Sequence, residues 1–138
     1  MEIECRKYII DLHVFIESWL IGSVEKSKLE FQYFKDALDT DFIIIHPSSE
    51  LQTKPSIISD FWKAYGIQPE SFKIEIQDIN VRFMSENICI MNYKECQFDT
   101  NKSVRISTVI FQKLINSNKI YWLHLHETWC PVESIEKA

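Results

Sequence analysis

The stretch Trp122-Leu123-His124-Leu125-His126-Glu127-Thr128-Trp129 holds half of the chain's 4 histidines and half of its 4 tryptophans, laid out at a period of two. Side chains alternate along an extended strand, so Trp122, His124, His126 and Thr128 fall on one face and Leu123, Leu125, Glu127 and Trp129 on the other. Neither set reads as a solvent face. A strand with large or titratable groups on both sides is expected to line a cavity on one side and to pack on the other.

Working outward, residues 119–129 are the last of four long segments with strand character, after 72–84, 88–98 and 104–114. Ser85-Glu86-Asn87, Asp99-Thr100-Asn101-Lys102 and Ile115-Asn116-Ser117-Asn118 separate them as hairpin turns. Before this meander the pattern is helical. Ile9, Leu12, His13, Ile16, Trp19 and Leu20 form one stripe over 3–21, with Gly22 placed as a left-handed cap. Ser27-Lys28-Leu29-Glu30 has capping-box spacing and opens a second helix, expected to end near Asp39. Residues 41–46 predict a short strand, stopped by Pro47, and 47–54 read as turn. Pro55 and Gly66 bracket a third helix. Helices segregated from a long antiparallel meander define an α+β fold, and strands of about ten residues exceed the usual five or six and coil strongly. Such a sheet curls round a helix and leaves a concave site.

Composition narrows the function classes. The chain has 138 residues, 46% hydrophobic and 13% aromatic, with only 2 glycines and 4 prolines to build linkers, so residues 1–138 are expected to form a single domain. A net charge of −5 without basic runs argues against nucleic-acid and anionic-membrane partners. No apolar run approaches the roughly 20 residues of a membrane span, and no signal segment is visible, which points to the cytoplasm. Cys5, Cys89, Cys96 and Cys130 have no paired spacing and read as reduced thiols. With 2 glycines, neither a Walker loop nor a dinucleotide turn can be built, and no cofactor is expected.

The pattern around His13, Glu17, Trp19 and Gly22, the Tyr93-x-Glu95-x-Gln97 and Arg105-x-Ser107-Thr108 strands, and the segment His124 to Trp129 resemble the nuclear transport factor 2-like superfamily. Within it they are most similar to SnoaL-like bacterial proteins and to the association domain of calcium/calmodulin-dependent kinase II. The resemblance covers residues 8–131. It implies a cone-shaped α+β fold with helices packed in a strongly curved sheet, and a homodimer formed through the outer sheet face. The kinase association domain carries arginine where this chain has Glu127, so that domain's ligand preference does not transfer. The superfamily includes isomerases, cyclases, dehydratases and adaptor modules, so fold leaves activity open.

The site must come from residues. Leu125 and Trp129 beside Glu127 make an apolar setting that raises a carboxyl's pKa and suits a general acid or base; the alternative is a strand-end hydrogen bond. His13 faces the pocket if the first helix crosses the mouth of the sheet, where a carboxylate opposite would complete a proton-transfer pair. Glu95 opposite Arg105 is a buried ion pair that reads as architecture. Tyr93, Glu95, Gln97, Arg105 and Thr108 are the binding candidates of the middle strands. Trp19 and Trp129 join them as aromatic walls or as core. His124 and His126 share a metal-ligand spacing, but two ligands are too few. His46, His13 and Glu95 are the conceivable thirds, and no metal is assigned. The expected function is a pocket for an unidentified small molecule, with proton transfer of isomerase, cyclase or dehydratase type. A non-catalytic association module is the alternative.

Overall fold

Three helices, α1 (Glu2–Ile21), α2 (Lys28–Ala37) and α3 (Lys54–Lys63), pack against one six-stranded mixed sheet in the computed structural model, which describes residues 1–131. The strands are β1 (Leu38–Ile45), β2 (Leu51–Thr53), β3 (Lys73–Met84), β4 (Ile88–Phe98), β5 (Lys102–Lys113) and β6 (Ile120–Trp129), in the spatial order β2-β1-β6-β5-β4-β3. β3 to β6 form the expected meander. The parallel pairing of β1 with β6 makes the sheet mixed.

Local chemistry explains the element ends. α1 stops at Gly22, which takes φ 75° in the left-handed region where a Cβ is disfavoured. A side chain there would also come within 3.3 Å of the Gly66 Cα, so the helix end requires glycine for space as well as for conformation. The Gly66 and Gln68 amides donate to the Trp19 and Leu20 carbonyls, which ties the exit of α3 to the end of α1. Ser27 caps α2 by accepting from the Glu30 amide at 3.1 Å. Two boundaries differ from the sequence reading. α2 passes directly into β1 at Leu38, three residues earlier than expected, and residues 51–53, read as turn, add β2 to the edge of β1. A three-residue strand is too short to display a period.

The curl of the sheet has visible causes. The β3/β4 ladder slips between Gln77 and Asn80, where Asp78 adopts φ 55°, and again between Val81 and Phe83. A further bulge interrupts β5/β6, because Ile110 pairs with His124 but Phe111 pairs with Trp122. Bulges bend the strand and increase its twist, so the sheet wraps the helices without closing.

The bulge at Leu123 corrects the face assignment drawn from strict alternation. Trp122 is inside, and after the inserted residue Leu125 and Glu127 are inside as well, while His124 and His126 lie on the outer face. An extra residue reverses the parity of everything beyond it. The core therefore runs from Ile9, Leu12 and Trp19 on α1, through Phe31 and Phe34 on α2, to Met91, Tyr93, Val109, Phe111 and Trp122 on the concave face.

Candidate functional site

Between α1, α3 and the concave face lies a cavity of about 280 Å³. Leu12, Ile16, Phe34, Phe42 and Leu125 supply apolar wall, and His13, His46, Glu95, Gln97, Arg105 and Glu127 supply its polar part. A more open groove of about 610 Å³ between Tyr8, Lys54, Lys119 and Tyr121 contains none of these clustered groups.

The inner-face register brings the polar residues together. Glu95 pairs with Arg105, which pairs with Trp129; one step along, Tyr93 pairs with Ser107 and Ser107 with Glu127. α1 delivers His13 from the opposite side. His13 Nε2 lies 3.0 Å from Glu95 Oε1, its Nδ1 lies 2.7 Å from the Ile9 carbonyl, and Gln97 donates to the second Glu95 oxygen at 2.6 Å. A carbonyl accepts only, so Nδ1 carries a hydrogen. An ionised Glu95 also only accepts, so Nε2 carries one too. His13 is then an imidazolium. Burial opposes its charge, but the Glu95 carboxylate and hydrogen bond, with the Ile9 carbonyl, raise its pKa overall. Burial likewise pushes against Glu95 ionising, and His13, Arg105 and Gln97 together hold it well below the usual carboxylate range.

Glu127 is held differently. Ser107 Oγ stands 3.3 Å from one carboxyl oxygen and Arg105 Nη1 3.4 Å from the other, both long for charge-assisted bonds. Burial, followed by the negative charge of Glu95, raises its pKa; Arg105 and His13 pull the other way without cancelling the rise. The Arg105 guanidinium is carried over the half-exposed Trp129 ring, 4.7 Å from its centroid. Two buried polar atoms, Arg105 Nε and the Tyr93 hydroxyl, have no partner among the described residues.

Of the residues singled out by sequence, His13, Glu95, Gln97, Arg105 and Glu127 meet at this cavity. Tyr93 lies beside it, its ring edge-on to His13 at 5.4 Å. Arg105 opposes Glu95 in the ladder, yet its direct ion pair is with Glu127. Trp19 is fully buried in the aromatic cluster with Phe31, Trp62 and Tyr65, and donates from Nε1 to the Phe61 carbonyl at 2.7 Å. Thr108, His124 and His126 stand on the outer face, where Thr108 receives the Asn92 amide at 2.7 Å. The sequence reading did not find Ser107 as a Glu127 partner, nor the contact of His46 with Gln52. Only the β1/β6 parallel pairing brings His46 to the site, and no local spacing signals a parallel pairing.

Residues 5–131 match the family described as sucrose-6-phosphate phosphohydrolase C-terminal. The chain is 24% identical over 123 residues to "Probable sucrose-phosphatase 3a" of Arabidopsis thaliana, a match that takes in 88% of this chain and 29% of that protein. It therefore spans about 29% of the length of that curated relative. Among solved structures, an NTF-2-like protein of unknown function from Pseudomonas aeruginosa superposes with a TM-score of 0.83 at 27% identity, covering 91% of this chain and 98% of that one. The association domain of the C. elegans calcium/calmodulin-dependent kinase II superposes at 0.65 with 11% identity, covering 92% of this chain and 96% of that one, a likeness of fold alone. The fold is thus nuclear transport factor 2-like, as the sequence resemblance implied.

Proposed function

We propose that this chain, which belongs to the sucrose-6-phosphate phosphohydrolase C-terminal family, is a small-molecule-binding module whose cavity can transfer a proton through Glu127. The observation that supports this reading is Glu127 itself. It is a carboxyl 5% exposed on the cavity wall, with a raised pKa and only two long hydrogen bonds. A carboxyl so placed keeps its proton to a higher pH than an ordinary glutamate, which suits it to donate or accept one. Arg105, which lines the cavity, would then donate to the ligand oxygen that gains charge.

The relative's name concerns a sugar phosphate, but this cavity suits a different ligand. A phosphate would enter between Glu95 and Glu127 and find two cations already paired, His13 with Glu95 and Arg105 with Glu127. A molecule with an apolar body and a polar end matches the walls better. The test is a thermal-shift screen of the purified protein against aromatic and polyketide-like compounds, small carboxylic acids and sugar phosphates. A ligand at about 100 times its Kd stabilises a fold by roughly 2.7 kcal/mol. A shift that is lost in Glu127→Gln supports the reading; a shift with sugar phosphates alone refutes it.

An association module is the second reading, favoured by the outer sheet face. There Ile106 is 39% exposed between Lys94 and Thr128, and the Ile90–Ile110 pair lies further along the same face, a mixed surface open to a homodimer contact. Sedimentation of Ile106→Lys against the native chain tests it, with a shift from dimer to monomer expected.

A further inference from the structure

His46 follows the end of β1, one position past the parallel pair Ile45 and His126, which sets it beside Glu127 on the inner face of β6. Its Nε2 lies 2.6 Å from Oε1 of Gln52, a residue only 7% exposed. The Gln52 amide nitrogen in turn donates to Asp60 Oδ2 at 2.7 Å and to Ser56 Oγ at 3.0 Å, both on α3. These contacts fix every hydrogen in the chain of bonds. A carboxylate only accepts, so the Gln52 nitrogen faces Asp60 and its oxygen faces His46. A carbonyl oxygen also only accepts, so Nε2 of His46 carries the ring hydrogen. In the neutral ring Nδ1 is then a bare acceptor, and no described residue donates to it.

We propose that His46 is a hydrogen-bond acceptor of the cavity and that the site takes a neutral molecule with an apolar body and a hydroxyl group. The hydroxyl hydrogen goes to His46 Nδ1, on the wall of the cavity that Arg105 and Glu127 also line. Gln52 is the positioning residue, locked by Asp60. The proposal rests on the binding reading above and adds the ligand's class. It also explains the buried glutamine of β2: with its amide hydrogens directed to Asp60 and Ser56, its oxygen holds the histidine in one tautomer.

Two measurements test it. In protein labelled with ¹⁵N at histidine, the neutral ring of His46 should show a protonated Nε2 and a bare Nδ1; the opposite tautomer overturns the proposal. Phenol and anisole, alike in body but differing in the hydroxyl hydrogen, are then titrated as probes. Phenol should bind about five- to tenfold tighter, since one hydrogen bond is worth around 1 kcal/mol. On the native protein phenol should move the Nδ1 resonance and anisole should not, and in His46→Leu the two probes should bind alike. Equal binding to the native protein, or a preference that survives His46→Leu, overturns the ligand class while leaving the cavity a binding site. Binding of neither probe overturns the ligand class, while the binding reading stands or falls with the thermal-shift screen.

Discussion

Glu95 and Glu127 stand two strands apart on the same concave face, each 5% exposed, and their acidities move in opposite directions. Glu95 receives donors at 3.0 and 2.6 Å, one from a cation; Glu127 receives them at 3.3 and 3.4 Å. Burial is the first cause acting on both and pushes both towards the neutral form. Short, charge-assisted partners reverse that push at Glu95, and long ones leave it standing at Glu127. The lesson is that donor geometry, not depth, divides an architectural carboxylate from one open to chemistry.

The largest effect expected is at the tight pair. Glu95→Leu strands the His13 imidazolium in the core and should cost roughly 3–5 kcal/mol in urea unfolding. His13→Leu combined with Glu95→Leu should cost less than the sum of the single changes, because neither charge is then left alone. Additive losses would deny the coupling. Glu127→Gln should behave in the contrary way. It removes a carboxyl that Glu95 already disfavours ionising, so stability should stay within about 1 kcal/mol of native while ligand-induced stabilisation disappears.

The pH dependence of the urea midpoint separates the two further. Glu95 has a lowered folded pKa, so its contribution is complete above its ordinary value of 4.5 and is lost as pH falls below that. His13 has a raised one, so its contribution is complete below its ordinary 6.5 and is lost as pH rises through the folded value. Glu127, also raised, contributes below 4.5 and loses that contribution as pH rises through its folded value. The acid-side loss should therefore vanish in Glu95→Gln and persist in Glu127→Gln. The smallest effect belongs to Trp129→Ala. Loss of a half-exposed ring beneath Arg105 should cost about 0.5–1 kcal/mol and loosen Arg105 at Glu127, measurable as a changed Glu127 titration.

Much of this contrast is legible in the sequence alone. Gly22, Ser27 and Gly66 announce their helix ends through local chemistry, and the period-two runs after residue 72 announce the meander. Apolar Leu125 beside Glu127 pointed to a raised carboxyl. What could not be read was long-range or one residue in size. The inserted Leu123 moves Trp122 to the Glu127 side and sends His124 and His126 outward, and no feature of the segment marks it. That His13, rather than Arg105, would make the direct ion pair with Glu95 depends on how α1 lies across the sheet. His46 depends on a parallel pairing between the first and last strands, about eighty residues apart.

The central claim is that these two buried carboxyls are held in different states. ¹³C NMR titration of the glutamate side-chain carboxyl carbons, assigned with Glu95→Gln and Glu127→Gln, tests it directly. Glu127 should titrate above 4.5, the ordinary glutamate value, and Glu95 below it. Both titrating below 4.5, or the two in reverse order, would contradict the account.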